Sequence, residues 1–175
     1  MRTPLILLLL ASLTLTACGG TGTPGTSGTS DAGHPTQSPE EALILQQVNE
    51  VRAQPQMCGA RRFAATTPVT WNGSLAKAAR AHADDMATRG YFDHQSPEGQ
   101  EVEDRAEAAG YTGWRFVGEN IAAGYDGEHV MAAWLASESH CKTLMDPNFR
   151  ELGVGYVDRP GSREGTYWVQ DFGTR

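Results

Sequence analysis

Residues 117–157 hold, in order, a short apolar stretch with a carboxylate inside it, a helical run that ends on a histidine, and a strand containing two glycines. The first is Val117-Gly-Glu119-Asn-Ile121-Ala, the second closes with Trp134-x-x-Ser137-x-x-His140, and the third is Glu151-Leu-Gly153-Val-Gly155-Tyr. Flanked by Val117 and Ile121, Glu119 is costly to bury unless paired or hydrogen-bonded. It therefore either accepts backbone N–H groups of a loop or works in a cleft. The stretch 117–123 itself is ambiguous between strand and helix.

Upstream the pattern is helical. Ser38-Pro39-Glu40-Glu41 supplies an N-cap, a proline at the first helical position and a capping-box glutamate. Leu43, Leu45, Val48 and Val51 give this helix an apolar side, and Pro55 ends it. A loop from Gln56 to Val69 follows. A second helix over Ser74–Arg89 places Leu75, Ala78, Ala79, His82 and Met86 at helical spacing and stops at Gly90. A third is expected over Glu101–Ala109, before Gly110, and a fourth from Glu128 through Cys141 to about Met145. Glu151–Val157 and Thr166–Phe172 then read as a hairpin. Helices followed by a terminal antiparallel hairpin make an α+β layered domain.

The beginning of the chain is of a different kind. Arg2 and the apolar run Leu5–Leu15 form an export signal too short to span a bilayer comfortably. Leu15-Thr16-Ala17-Cys18 looks like a lipobox, in which the cysteine becomes the lipidated first residue of the mature chain. Residues 1–18 are thus read as a lipoprotein signal peptide, 19–39 as a disordered Gly/Thr/Ser/Pro tether, and 40–175 as the folded domain. His34 falls in the tether and is read as inert. The expected location is extracytoplasmic, anchored to a bacterial membrane by lipid on Cys18. Gly19 after that cysteine favours the outer membrane if the host has two.

With Cys18 committed to lipid, Cys58 and Cys141 remain in an oxidising compartment, where a disulfide is favoured over two buried thiols. On one continuous helix Val130, Trp134, Ser137 and Cys141 share a face, which turns Cys141 inward. The formal charge of −7 argues against nucleic acid or an anionic membrane surface as partner. A monomer is expected.

Six blocks occur in a recognisable order: Asn72-x-x-Leu75-x-x-Ala78-Ala79, Phe92-Asp93-His94, Gly118-Glu119-Asn120, Trp134-x-x-Ser137-x-x-His140, Gly153-Val154-Gly155 and Tyr167-Trp168-x-Gln170-x-Phe172-Gly173. Together they resemble the CAP superfamily, the SCP domain of cysteine-rich secretory proteins, antigen 5 and pathogenesis-related proteins, in its bacterial branch. The resemblance implies an α-β-α sandwich with a small antiparallel sheet between helices. It also implies a cleft built from His94, Glu119 and His140, with the position of the family's second acid taken by Ser137. Glu138 lies about 100° further around a helix and should not substitute for that acid.

Two imidazoles and a carboxylate are ligands that zinc or another divalent metal accepts, which makes His94 and His140 candidate metal ligands and Glu119 a further ligand or the candidate catalytic base. No cofactor is required by this reading. Ser137 lacks the strained turn of a serine nucleophile. His82 reads as a satisfied core histidine, Trp134 and Trp168 as core aromatics, His129 as solvated and Asn120 as a brace. The activity implied is a binding module for a small apolar ligand, a glycan or an envelope protein partner. The rival readings are a zinc-assisted peptidase using the same cleft and a structural protein of the cell envelope.

Overall fold

Capping chemistry decides where the helices begin. The computed structural model describes residues 36–175; the export signal, the lipobox cysteine Cys18 and most of the tether lie outside the described residues. In α1 (Pro39–Arg52) the Ser38 hydroxyl accepts the Glu41 amide and the Glu41 carboxylate accepts the Ser38 amide, the reciprocal box read from the sequence. Asn72 caps α2 (Gly73–Arg89) by accepting the Ser74 and Leu75 amides, and Gly90 closes it at φ 72°, a left-handed conformation suited to glycine.

The buried side of α1 departs from expectation. Leu43 is 39% exposed, whereas Ile44 and Val48 are fully buried together with two charged residues, Glu41 and Arg52. Glu41 is gripped at both oxygens by the Arg80 guanidinium of α2, at 2.6 and 2.5 Å, and Arg80 also donates to the Thr36 carbonyl. Arg52 donates only to backbone carbonyls, those of Thr67, Leu144, Asp146 and Phe149. Burial, with Arg150 nearby, lowers its pKa to about 10. Hydrogen bonding, which apolar periodicity ignores, carries these two side chains inside.

The loop after α1 contains a small hairpin, β1 (Gln56–Cys58) and β2 (Arg61–Phe63), and then β3 (Thr70–Trp71). After α2 come α3 (Val102–Ala108) and β4 (Phe116–Ala123), so the ambiguous apolar stretch is a strand. The predicted fourth helix is two helices, α4 (Val130–Ala136) and α5 (Glu138–Met145). Between them Ser137 is extended, at φ −88° and ψ 124°, and this break corrects the continuous helix. Cys141 still faces inward, and it is bonded to Cys58 across a Cα–Cα distance of 5.3 Å. Closing a loop of 83 residues removes chain entropy from the unfolded state, a stabilisation of roughly 4 kcal/mol.

The hairpin of β5 (Glu151–Asp158) and β6 (Thr166–Thr174) is the centre of a four-stranded sheet ordered β3-β5-β6-β4. Three of its strands are antiparallel neighbours, but β3 runs parallel to β5, so the sheet is mixed rather than wholly antiparallel. The α+β sandwich itself is as expected. Ile44, Val48, Val130, Trp134 and Leu144 of the α1, α4 and α5 layer pack with Leu152, Val154, Trp168 and Phe172. On the other face Ala79, Ala83 and Met86 of α2 pack against Ile121, Tyr167 and Val169.

Helix α2 lies unusually close to β5. A Cβ at Gly153 would stand 2.0 Å from the Ala76 nitrogen, and one at Gly155 2.4 Å from the Ala79 carbonyl carbon. Backbone cannot yield as a side chain can. Gly153→Ala and Gly155→Ala are each expected to destabilise the domain by about 3 kcal/mol or more, measured by urea denaturation. Gly161→Ala, with nothing within 4 Å but φ 87°, should cost only about 1 kcal/mol.

Candidate functional site

Because β4 and β6 are antiparallel in the register Glu119↔Asp171, these two acids stand directly opposite each other. They share the face on which α2 lies, and that helix seals them from solvent. The Glu119 side chain is 2% exposed and Asp171 is fully buried. Glu119 is well supplied with partners. Its Oε1 is 2.7 Å from His94 Nδ1, its Oε2 accepts Arg105 Nη2 at 2.7 Å, and His82 Nε2 lies 3.9 Å away. No donor among the described residues reaches either Asp171 oxygen.

The proton inventory follows. Burial raises the Glu119 carboxyl, but the His94 hydrogen bond and the charge of Arg105 outweigh it, and the group sits below the usual carboxylate range. Burial first, and the negative charge of Glu119 second, push Asp171 well above that range. Two carboxyl groups set opposite each other in a dry site cannot both ionise cheaply, which favours the protonated form of Asp171. The hydrogen bond that His94 donates to Glu119 raises the His94 pKa, while burial lowers those of His82 and His140.

The structure thus brings His94 and Glu119 together as expected. His94 reaches out from the turn after α2 with half its side chain in solvent. His140, on α5, is half-buried, and the nearby His94 charge adds to the lowering of its pKa. It makes no hydrogen bond to His94 or Glu119; its carbonyl accepts Asn120 Nδ2, whose other partner is Gln170 Oε1. Asn120 is therefore a brace, on a strand and on the opposite face from Glu119. Ser137 caps the helix break, with its Oγ 3.1 Å from Ser139 Oγ, and Glu138 pairs with Lys142.

His82 is buried against the Asp93 carbonyl at 3.0 Å, His129 is solvated beside Asp126, and Trp134 and Trp168 are core residues, all as read from the sequence. Asp171 and Arg105 were not anticipated. The one available signal is an aspartate in the terminal strand segment Val169-Gln170-Asp171-Phe172, where its alternation with Gln170 places it on the same side as Val169 and Tyr167.

The side chains as placed do not compose a three-ligand metal site. Both Glu119 oxygens are engaged, an arginine stands against one of them, and Ser137 occupies the second acid's position. Among the described residues no three His, Cys, Asp or Glu side chains surround a common point. His94 and His140 remain, fewer ligands than the three or four zinc takes from proteins.

Beside the acid pair runs a depression of about 360 Å³ lined by Phe92, Ile121–Ala123, Tyr125, Ala133, Trp134, Ser137 and His140. Phe92 and Tyr125 are 44% and 43% exposed, large apolar side chains left open to solvent.

The profile of the cysteine-rich secretory protein family, CAP, matches residues 45–172. The chain belongs to that family. Two Bacillus subtilis proteins are similar to it: the uncharacterized protein YkwD, 41% identical over 106 residues, and the uncharacterized membrane protein YlbC, 33% identical over 137. Those matches take in 60% and 78% of this chain but only 39% and 35% of the relatives, so the chain spans well under half the length of either. An extracellular protein containing an SCP domain from Bacillus anthracis has the same fold, with TM-score 0.66 and 27% identity over 81% of this chain and 45% of its own.

The acid pair predicts opposite pH responses from its members. A raised folded pKa means that the contribution of Asp171 is complete below its unfolded value near 3.9 and is lost as pH rises through the folded value. For Glu119 the contribution is present above its unfolded value and is lost as pH falls through the folded one. Asp171→Asn should therefore remove a loss of stability on the alkaline side, seen as a flatter melting-temperature profile. Glu119→Gln should return the His94 pKa, read by NMR, towards about 6.5.

Proposed function

We propose that this CAP domain is a non-enzymatic binding module, tethered outside the cytoplasm, whose ligand occupies the depression beside His140. The observation that carries this reading is the contrast between two neighbours. Glu119 is buried and bonded at both oxygens, to His94 and Arg105, while the depression beside His140 leaves Phe92 and Tyr125 open to solvent and is of a size that suits a small ligand or a short segment. A catalytic carboxylate needs access to substrate, and Glu119 is buried with both oxygens committed. The lipobox and the extracellular and membrane descriptions of the relatives support the location.

An anilinonaphthalene sulfonate dye should bind the folded protein and brighten, and Phe92→Ser with Tyr125→Ser should abolish the signal without lowering the melting temperature. In parallel, calorimetric zinc titration and a broad peptide library are expected to show weak zinc binding and no zinc-dependent cleavage. Cleavage lost in a His94→Ala, His140→Ala variant would instead make the domain a peptidase.

The anchor is tested separately. Intact mass of protein extracted from membranes should correspond to a chain starting at Cys18 and carrying acyl groups, and Cys18→Ala should lose them. A free N-terminus at or beyond residue 18 in soluble native protein would refute it.

A further inference from the structure

Strand β4 is the edge of the sheet, and its pairing with β6 fixes which backbone groups it leaves over. In an antiparallel pair alternate residues exchange both hydrogen bonds with the partner. Gly124 N–H donates to the Thr166 carbonyl at 2.9 Å, just beyond the pair Ala123↔Tyr167. That phase assigns the bonded positions to Gly118, Asn120 and Ala122. The N–H and C=O groups of Val117, Glu119, Ile121 and Ala123 therefore turn away from β6, towards the edge that no strand pairs.

One of these groups is used. The Ile121 carbonyl accepts Trp134 Nε1 at 3.2 Å. Among the described residues no loop or side-chain hydrogen bond engages the Ile121 N–H or either backbone group of Ala123. This part of the edge is also the part that lines the depression, opposite Phe92, Tyr125 and His140. Exposed edges in natural sheets are commonly blunted by charge, proline or a bulge, because free N–H and C=O groups template another strand. Residues 121–123 are Ile-Ala-Ala, pair with β6 without interruption and carry none of these devices; Ile121 and Ala122 are only 4% and 6% exposed, so a partner reaches this edge through the depression alone.

Charge narrows the occupant. In a chain of net charge −7 none of the lining residues is a carboxylate; the titratable side chains in the lining are His140 and Tyr125, with His94 close to His140. Asp126, next to Tyr125, is paired with His129, and Glu119 is bonded to His94 and Arg105. An acidic residue on the ligand meets no like charge there.

We propose that the β4 edge binds an extended polypeptide segment by strand addition, with small apolar side chains of the segment in the depression and an acidic residue against His140 and His94. The proposal deepens the binding-module reading and rests on it. Main-chain hydrogen bonds to Ile121 and Ala123 supply affinity, and alternate side chains of the segment supply specificity.

Strand addition makes a demand that a plain apolar pocket does not: only every second amide of the ligand should matter. The probes are capped nonapeptides of alternating alanine and valine with one aspartate, N-methylated at either the odd or the even amides, and titrated into the full chain. One phase of methylation should weaken binding about tenfold or more, while the other stays within about twofold. Amide exchange at Ile121 and Ala123 should slow when the unmethylated peptide binds. Ala123→Pro, which removes an outward N–H at a position where proline is tolerated, should weaken the same peptide by about tenfold. If that variant fails to fold, the methylated pair on the wild-type chain still decides.

Equal effects of the two methylation phases overturn strand addition, as does the absence of peptide binding while the dye still binds. In both cases the binding-module reading survives. Loss of dye and peptide binding together removes both.

Discussion

The approach of α2 to the sheet at Gly153 and Gly155 governs the rest of the molecule. With atoms of Leu75, Ala76 and Ala79 within 2.6 Å of where a Cβ would stand, the helix rests on bare strand backbone. Its position fixes His82, which follows Ala79 by less than a turn, over the carboxyl pair. Gly153 is also the cross-strand neighbour of Asp171, on the side away from Glu119. The absence of side chains at Gly153 and Gly155 thus lets α2 dry out the acids on β6 and β4. In that dry setting the ion pair between Glu119 and Arg105 is stronger than it would be in water. Packing and electrostatics are the same event at this site.

Much of this was legible in the sequence because it depends on local rules. The capping box at Ser38, the αL glycine after α2, the terminal hairpin and the inward direction of Cys141 each follow from a few adjacent residues. The break at Ser137 was not legible, since an apolar period continues across it, from Trp134 to Cys141, and suggests one helix. Nor was the orientation of α1, where hydrogen-bonded Glu41 and Arg52 displaced Leu43 from the interior. In the site, His94 and Glu119 were identified through the family resemblance and do meet. Asp171 was missed because its importance arises from register: only when β6 is laid beside β4 does its position opposite Glu119 exist.

Arg52 and the acid pair show two ways of burying charge. Arg52 keeps its charge and spreads it over four carbonyls, knitting the end of α1 to the segments before β3 and after α5. Lysine has neither the fork nor the number of fixed donors to do so. For Asp171 burial works the other way, pushing its pKa well above the usual carboxylate range and favouring the neutral form. The first solution holds segments together and the second keeps one face of β6 apolar enough to be covered.

The Glu41–Arg80 pair has a mechanical meaning. Whatever precedes residue 36 enters the domain next to Thr36, whose carbonyl is held by the same guanidinium that clamps Glu41. A pull on that end is delivered within six residues to a bidentate clamp between α1 and α2, and through α2 to the glycine strand. The load is carried in shear across two helices instead of peeling α1 from its first turn.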